Sequence, residues 1–311
     1  MSRLSLSPQS RTAARGGLLP IVVAGILWGT TGVVVQLVRR FADLGPVGIG
    51  FYRLAIAAAV LLAFTARQLW PVLVTLRPQR WRLLLIGAGL GAYQALYFLA
   101  VAWGGVAVAT VVSLGLAPVL IAGWEALRSR RRPEPAALGS ITAAIAGLAL
   151  ITGGTGAPTG TAPEPLLGLL AALGSGLGYA ATTVLSRDVT RFVRPLVLTS
   201  ASTAVGAVTL LPVALLTGGL AVPVGSAAAG MLAYLGVVTT AIAYGLFYAG
   251  LRTTAGSVAV IVTLLEPLTA AVLAVAILGE RLTLPIAAGG GLLLGAVVVA
   301  SLTHRRPAAG D

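Results

Sequence analysis

Residues 256 to 281 read GSVAVIVTLLEPLTAAVLAVAILGER, an apolar run with one carboxylate and one proline, Glu266 and Pro267, at its middle. Glu266 comes about ten residues after Gly256, which at about 1.5 Å per helical residue sets it about 15 Å deep, near a bilayer midplane. An acidic side chain there costs roughly 2.5 to 3.5 kcal/mol on insertion scales, so it needs a partner, a watered cavity or a proton. Pro267 lacks an N–H and frees a carbonyl one turn earlier, near Thr263. Charge and interrupted backbone therefore coincide. Two readings follow: a functional carboxylate, or a kinked packing helix whose neutral Glu hydrogen-bonds a neighbouring helix.

The rest of the chain agrees with a membrane setting. Of 311 residues, 58% are hydrophobic and 9% charged, far below the charged quarter of a soluble domain. The net charge of +13 is carried by Arg alone, in short segments between long apolar runs, which fits the positive-inside rule better than nucleic-acid binding. With no Cys there are no disulfides, thiolate nucleophiles or Cys metal sites, and the one His, His304, lies in the terminal tail, so metal and nucleophile chemistry have few candidates and no metal or cofactor is expected.

Ten runs of spanning length are present, at about 18–38, 46–66, 83–102, 105–127, 136–152, 165–185, 195–217, 227–250, 256–278 and 284–303. Alternating the connections leaves only Arg39, Arg40 and Arg281 on one side, places Arg53 inside a span and gathers the other arginines on the opposite side. This asymmetry predicts an inner-membrane protein with both termini cytoplasmic. The segment RQLWPVLVTLRPQRWR (67–82) mixes Arg with Trp70 and Trp81 and is expected to lie on the membrane surface.

The Gly-, Pro- and Thr-rich stretch TGGTGAPTGTAPEP (152–165) divides the chain into two sets of five spans. The expected organisation is a cytoplasmic tail (1–17), a first five-helix unit (18–152), an external linker (153–164), a second unit (165–303) and a cytoplasmic tail (304–311). The units repeat: Trp28-Gly29 precedes Ala117-Pro118 by about the distance at which Tyr179-Ala180 precedes Glu266-Pro267. A charged turn follows each proline, Arg130-Arg131-Arg132 and then Gly279-Glu280-Arg281. Because five is odd, the two units must enter the membrane in opposite senses. The fold class expected is all-α and polytopic, ten transmembrane helices as two inverted five-helix repeats, the pattern of secondary transporters with a site near the midplane.

The chain resembles the EamA-type ten-helix branch of the drug/metabolite transporter superfamily. The resemblance rests on Trp28-Gly29, Phe51-Tyr52-Arg53-Leu54-Ala55, Ala117-Pro118, Leu265-Glu266-Pro267 and Leu278-Gly279-Glu280-Arg281-Leu282, in that order. It implies an alternating-access carrier with a central cavity that exports amino acids or other small metabolites. The first-half turn departs from the pattern, since Arg130-Arg131-Arg132 replaces a Gly-Glu-Arg type of sequence.

Several side chains are candidates for the pathway. Glu266 is the candidate for proton coupling and for binding a substrate ammonium group. Arg53, about 10 Å inside its span, either snorkels to the interface or pairs with Glu266 or a substrate carboxylate. Tyr244 and Tyr248, with Thr240, and Tyr93 and Tyr97, with Gln94, form stripes at four-residue spacing that line a pathway or pack between helices. Trp28 and Tyr179 hold equivalent repeat positions and are expected to face each other as gates. Ser113, Thr182, Thr183 and Thr263 add hydroxyls, and Pro118 and Pro267 are expected kinks. Glu125, followed by Arg128, reads as half of an interfacial ion pair.

These residues describe a nearly uncharged aromatic and hydroxyl-bearing cavity, suited to a small amphiphile. The absence of Lys argues against phosphate loops in glycine runs such as Gly289-Gly290-Gly291. The reading is a secondary carrier for a small-molecule substrate, driven by protons or by solute exchange, in a lipid bilayer, as a monomer or homodimer and without nucleic-acid partners. Uptake in place of export, a passive channel and a membrane-embedded enzyme are the alternatives.

Overall fold

The computed structural model describes residues 8–75, 80–130, 132–154, 164–217, 220, 225–278 and 283–304, with side chains left out at 8–16, 72–75, 106–107, 154, 274, 278 and 303–304. The linker core at 155–163, the turn Gly279-Glu280-Arg281, Arg77, Arg131 and the tail residues Arg3, Arg305 and Arg306 lie outside the described residues, as do the side chains of Arg11, Arg15 and His304.

Ten helical spans cross the bundle. The first is split into α1 (Pro8–Gly29) and α2 (Thr31–Phe41). The second to seventh are single helices: α3 (Pro46–Thr75), α4 (Arg80–Gly104), α5 (Val106–Ser129), α6 (Pro135–Gly154), α7 (Pro165–Val189) and α8 (Pro195–Leu216). The eighth runs from α9 (Ser226–Gly236) through a π-helical stretch (Val237–Ile242) into α10 (Ala243–Leu251). The ninth is split into α11 (Gly256–Thr263) and α12 (Leu265–Leu278), and the tenth is α13 (Leu284–His304).

Proline opens α3, α6, α7 and α8, where its missing N–H has no helical acceptor to lose. Gly105, at φ 85°, joins the third span directly to the fourth. Residues 67–75 prolong α3 through Pro71 and do not form a separate surface segment, leaving Trp70 and Trp81 exposed.

Lipid reverses the usual pattern of a globular helix. On α7, Leu166, Leu170, Leu173 and Leu177 face outward, while Gly168, Ala171, Ala172, Ser175 and Gly176 face the bundle. Small residues let backbones approach: a Cβ on Gly176 would sit 2.9 Å from the Ser113 carbonyl oxygen, and one on Gly147 would sit 2.6 Å from that of Gly289.

The packing obeys the two-fold relation of an inverted repeat. The third span packs on the sixth as the eighth packs on the first, while the second pairs with the seventh and the fifth with the tenth. Chain directions agree. Gly17 at the start of the first span abuts Thr253 and Thr254, beyond the end of the eighth. At the same end Glu125, late in the fourth, bonds Gly256, which opens the ninth, and Arg187, late in the sixth, bonds the Thr254 carbonyl. The first and sixth spans therefore run in opposite senses. Arg80, Arg82, Arg128 and Arg194 also lie here, making this the Arg-rich end of the bundle.

Candidate functional site

Three helical irregularities lie side by side at mid-bundle. At the ninth span the helix stops at Leu264, whose N–H turns back to the Ile261 carbonyl (3.1 Å). Pro267 falls in the first turn of α12, where no N–H is required, and Glu266 sits beside it at the positive end of the helix dipole. At the first span, Thr30 interrupts the helix, its hydroxyl donating to the Leu27 carbonyl (2.7 Å) and pairing with the Tyr234 hydroxyl (3.0 Å). The two breaks meet: a Cβ on Gly29 would lie 2.7 Å from the Glu266 carbonyl oxygen and 2.4 Å from Thr269 Cβ. In the eighth span Thr240 donates to the carbonyl of Leu235, five residues back (2.7 Å), within the π-helical turn.

These breaks border a cavity of about 290 Å³, at the small end of ligand pockets, which run from about 300 to 1,000 Å³. It occupies the middle of the bundle and the half away from the Arg-rich end, with exposed Gly32 and Pro46 at its edge. Trp28, Tyr93, Gln94, Tyr97, Ser113, Tyr179, Tyr244, Glu266 and Arg53 all line it. Thr183 and Tyr248, expected in the lining, do not. Each is buried one turn beyond a lining tyrosine toward the Arg-rich end, below the floor. Tyr248 instead stacks on Tyr244 and Phe247, and its hydroxyl meets Ser202 Oγ at 3.5 Å.

The floor is a tyrosine pair. The Tyr93 and Tyr244 hydroxyls lie 2.7 Å apart and join the two repeats, with the Tyr179 ring against Tyr93 and Trp28 edge-on to Tyr244. Trp28 and Tyr179, expected to face each other, thus pack on different members of this pair. Tyr179 also reaches Thr263 at the ninth-span break (3.2 Å). Pro118, the expected kink of the first repeat, lies inside an uninterrupted α5.

The two charges of the lining come from different repeats. Arg53, on α3, donates from Nε to the Thr240 hydroxyl (3.3 Å). Among the described residues it makes no direct ion pair with Glu266, so cation and carboxylate line the same cavity without contact. Two donors of the first span, Trp28 Nε1 and Thr31 Oγ1, are buried without a partner among the described residues. Thr31, Ser175, Phe98, Ile49 and Val35 also line it, and nothing in their local sequence pattern marks them; only position beside the breaks does. Among the described residues no group of His, Cys, Asp and Glu is arranged to hold a metal ion.

Known proteins share this organisation. The EamA-like transporter family matches twice, over residues 15–153 and 166–302. The chain belongs to the EamA-like transporter family. It is 30% identical over 232 residues to the uncharacterized transporter YwfM of Bacillus subtilis, covering 73% of this chain and 74% of that protein. It is 29% identical over 300 residues to the uncharacterized inner membrane transporter YicL of Salmonella typhimurium, covering 95% and 98%. A solved crystal structure superposes with a TM-score of 0.74 at 23% identity, over 95% of this chain and 99% of the other, and shares the fold. The protein is therefore a multi-pass membrane transporter with two EamA repeats.

Proposed function

We propose that this EamA-like transporter is a secondary carrier that exports a small zwitterionic metabolite, an amino acid or a close relative, by alternating access. The observation that carries the reading is the placement of one cation and one carboxylate, Arg53 and Glu266, without a direct ion pair in one small cavity between the repeats. A substrate carboxylate takes the guanidinium by its planar fork, an ammonium group takes Glu266, and the aromatic walls receive the remainder. Trp28 Nε1 and Thr31 Oγ1 supply two further hydrogen-bonding positions. Multiply charged phosphates have one cation to meet and are disfavoured.

A carrier is favoured over a channel because the cavity ends at the Tyr93–Tyr244 pair and Tyr248 beyond it is buried. Glu266 then couples transport by exchanging its proton, or its hold on substrate, as access alternates. The Arg-rich end is cytoplasmic in this reading, with both termini on that side.

Counterflow in proteoliposomes preloaded with mixed amino acids tests it. Saturable accumulation of one labelled class, absent with Glu266→Gln, is expected. No counterflow of any amino acid by folded protein overturns the substrate class. Uphill accumulation under an imposed pH gradient separates proton coupling from exchange.

A further inference from the structure

We infer that the closed, Arg-rich half of the bundle is an occluded vestibule of the transport path, held shut by a latch that Glu125 forms with the ninth and sixth spans. The inference rests on the carrier reading above and concerns a part of the molecule that the cavity does not reach.

Below the tyrosine floor buried hydroxyls interrupt the apolar packing of residues such as Ile21, Ile86, Leu198 and Leu251. Thr183, Ser186, Ser202, Thr203, Tyr248 and Thr254 are all buried there, on the sixth, seventh and eighth spans and the connection that follows the eighth. Ser202 and Thr203 both return to the Thr199 carbonyl of their own helix (3.1 and 2.8 Å), and among the described residues Thr254 Oγ1 has no partner. A hydroxyl bonded to its own helix is satisfied while the bundle is shut and can meet water or a solute once it opens. An unpaired buried hydroxyl such as that of Thr254, by contrast, destabilises a permanently closed core. Tyr248 joins this belt to the cavity, since it stacks on Tyr244 and reaches Ser202.

The latch closes the far side of the belt. Glu125 Oε1 accepts the N–H of Gly256, the first residue of α11, at 2.9 Å, and Oε2 accepts the Ser257 hydroxyl at 2.5 Å. This is an N-cap supplied from the other repeat, complementing the helix dipole. Arg187 Nη1 lies 3.8 Å from the same carboxylate, while its Nε donates to the Thr254 carbonyl at 3.0 Å. Gly256 fits closely, since a Cβ there would come 3.1 Å from Ile121 and 3.4 Å from Glu125 Oε1. An exposed Arg128–Asp188 pair (3.3 Å) flanks the arrangement. The helices tied together here, α5, α7 and α11 with its continuation α12, carry Ser113, Tyr179 and Glu266 of the cavity. Release at one end is thereby linked to movement at the other.

The chain contains no Cys, so single cysteines report against a natural background. Ser202→Cys is labelled with a membrane-impermeant maleimide applied to each side of sealed vesicles. Ser140→Cys, equally buried on α6 and away from the belt, is the control. Expected is slow labelling of Ser202→Cys from the Arg-rich side only, accelerated about ten-fold by Glu125→Gln, with Ser140→Cys unlabelled throughout. Ser257→Ala removes one latch bond and leaves the carboxylate in place. It is expected to accelerate labelling about three-fold and keeps the test open if Glu125→Gln does not fold. Unchanged labelling in the folded latch variants, or equal labelling of Ser202→Cys and Ser140→Cys, overturns the inference. Labelling needs no substrate, so failure here with counterflow intact removes the latch and leaves the carrier, whereas labelling as expected without counterflow leaves the vestibule and removes the amino-acid reading.

Discussion

The two repeats carry the same proline at the same place and use it differently. In the first, Ala117-Pro118 lies in an uninterrupted α5, with Ala117 fully buried among Ile121, Ala180 and Val260. In the second, Glu266-Pro267 follows a break at Leu264 and opens into the cavity. The contrast extends to the neighbours: the third, fourth and sixth spans are straight, while their repeat counterparts, the eighth, ninth and first, are π-helical or split. One wall of the cavity is thus regular and the other hinged. Proline in a span does not by itself make a site; a site needs a charge and free backbone that no neighbour has covered.

The largest effects should come from exchanging what the two prolines carry. Ala117→Glu puts a carboxylate into a closed apolar cluster and is expected to destabilise the protein by roughly 2.5 to 3.5 kcal/mol, seen as lost folded yield and a lower melting temperature. Glu266→Gln is expected to leave yield and melting nearly unchanged while counterflow falls at least about ten-fold, equivalent to more than about 1.4 kcal/mol in the transport barrier. Equal damage to folding from both substitutions would erase the contrast.

Next comes the point where the split helices meet. A methyl group on Gly29 collides with Thr269 Cβ and the Glu266 carbonyl oxygen, so Gly29→Ala is expected to lose about 1 to 3 kcal/mol of stability along with transport. At the equivalent position of the straight wall the chain already carries Ala180. There Ala180→Gly is expected to lose only about 1 kcal/mol by helix propensity and to transport normally. Thermal melting and counterflow measured on both variants check the pair.

The ten spans were legible because hydropathy and proline placement report on lipid and helix starts, and the boundaries agree within a few residues. The ninth-span break was legible because Pro267 has a local mechanism. The Thr30 break was not: Thr-Thr-Gly forbids no helix, and the interruption depends on Tyr234, 204 residues away. The π-helical turn was equally hidden, since it follows from Thr240 reaching the Leu235 carbonyl while accepting from Arg53. Four-residue spacing grouped Tyr248 with Tyr244, and Thr183 with Tyr179, on common helix faces. It carries no information on depth, and the floor passes between the members of each pair.

Hinge chemistry gives an intermediate effect. Pro267→Ala restores an N–H one turn beyond Thr263 and lets α11 and α12 join. Transport is expected to slow about three- to ten-fold with stability held or raised, because a stiffened hinge slows a conformational step. Pro118→Ala, in a helix already continuous, is expected to change transport less than about two-fold. Turnover and melting temperature distinguish a stiffened hinge from a damaged fold.

The smallest effects separate the walls by their hydrogen bonds. On the straight wall the polar groups are paired within the protein: the Tyr97 hydroxyl with Thr110 at 2.9 Å, Ser113 with the Ala172 carbonyl at 3.1 Å and Ser175 with the Tyr93 carbonyl at 2.9 Å. On the hinged wall Thr31 Oγ1 has none. Thr110→Val strips Tyr97 of its partner and is expected to lower stability by about 1 to 3 kcal/mol with little change in half-saturation. Thr31→Val removes a buried hydroxyl that bonds nothing, so the melting temperature should hold or rise. If that hydroxyl is kept for substrate, half-saturation should increase about three- to ten-fold, the loss of one hydrogen bond of about 0.5 to 1.5 kcal/mol. A Thr31→Val protein that gains stability and keeps its half-saturation would show that the hinged wall leaves its donors unpaired for movement between states, and that substrate is recognised through Arg53 and Glu266 alone.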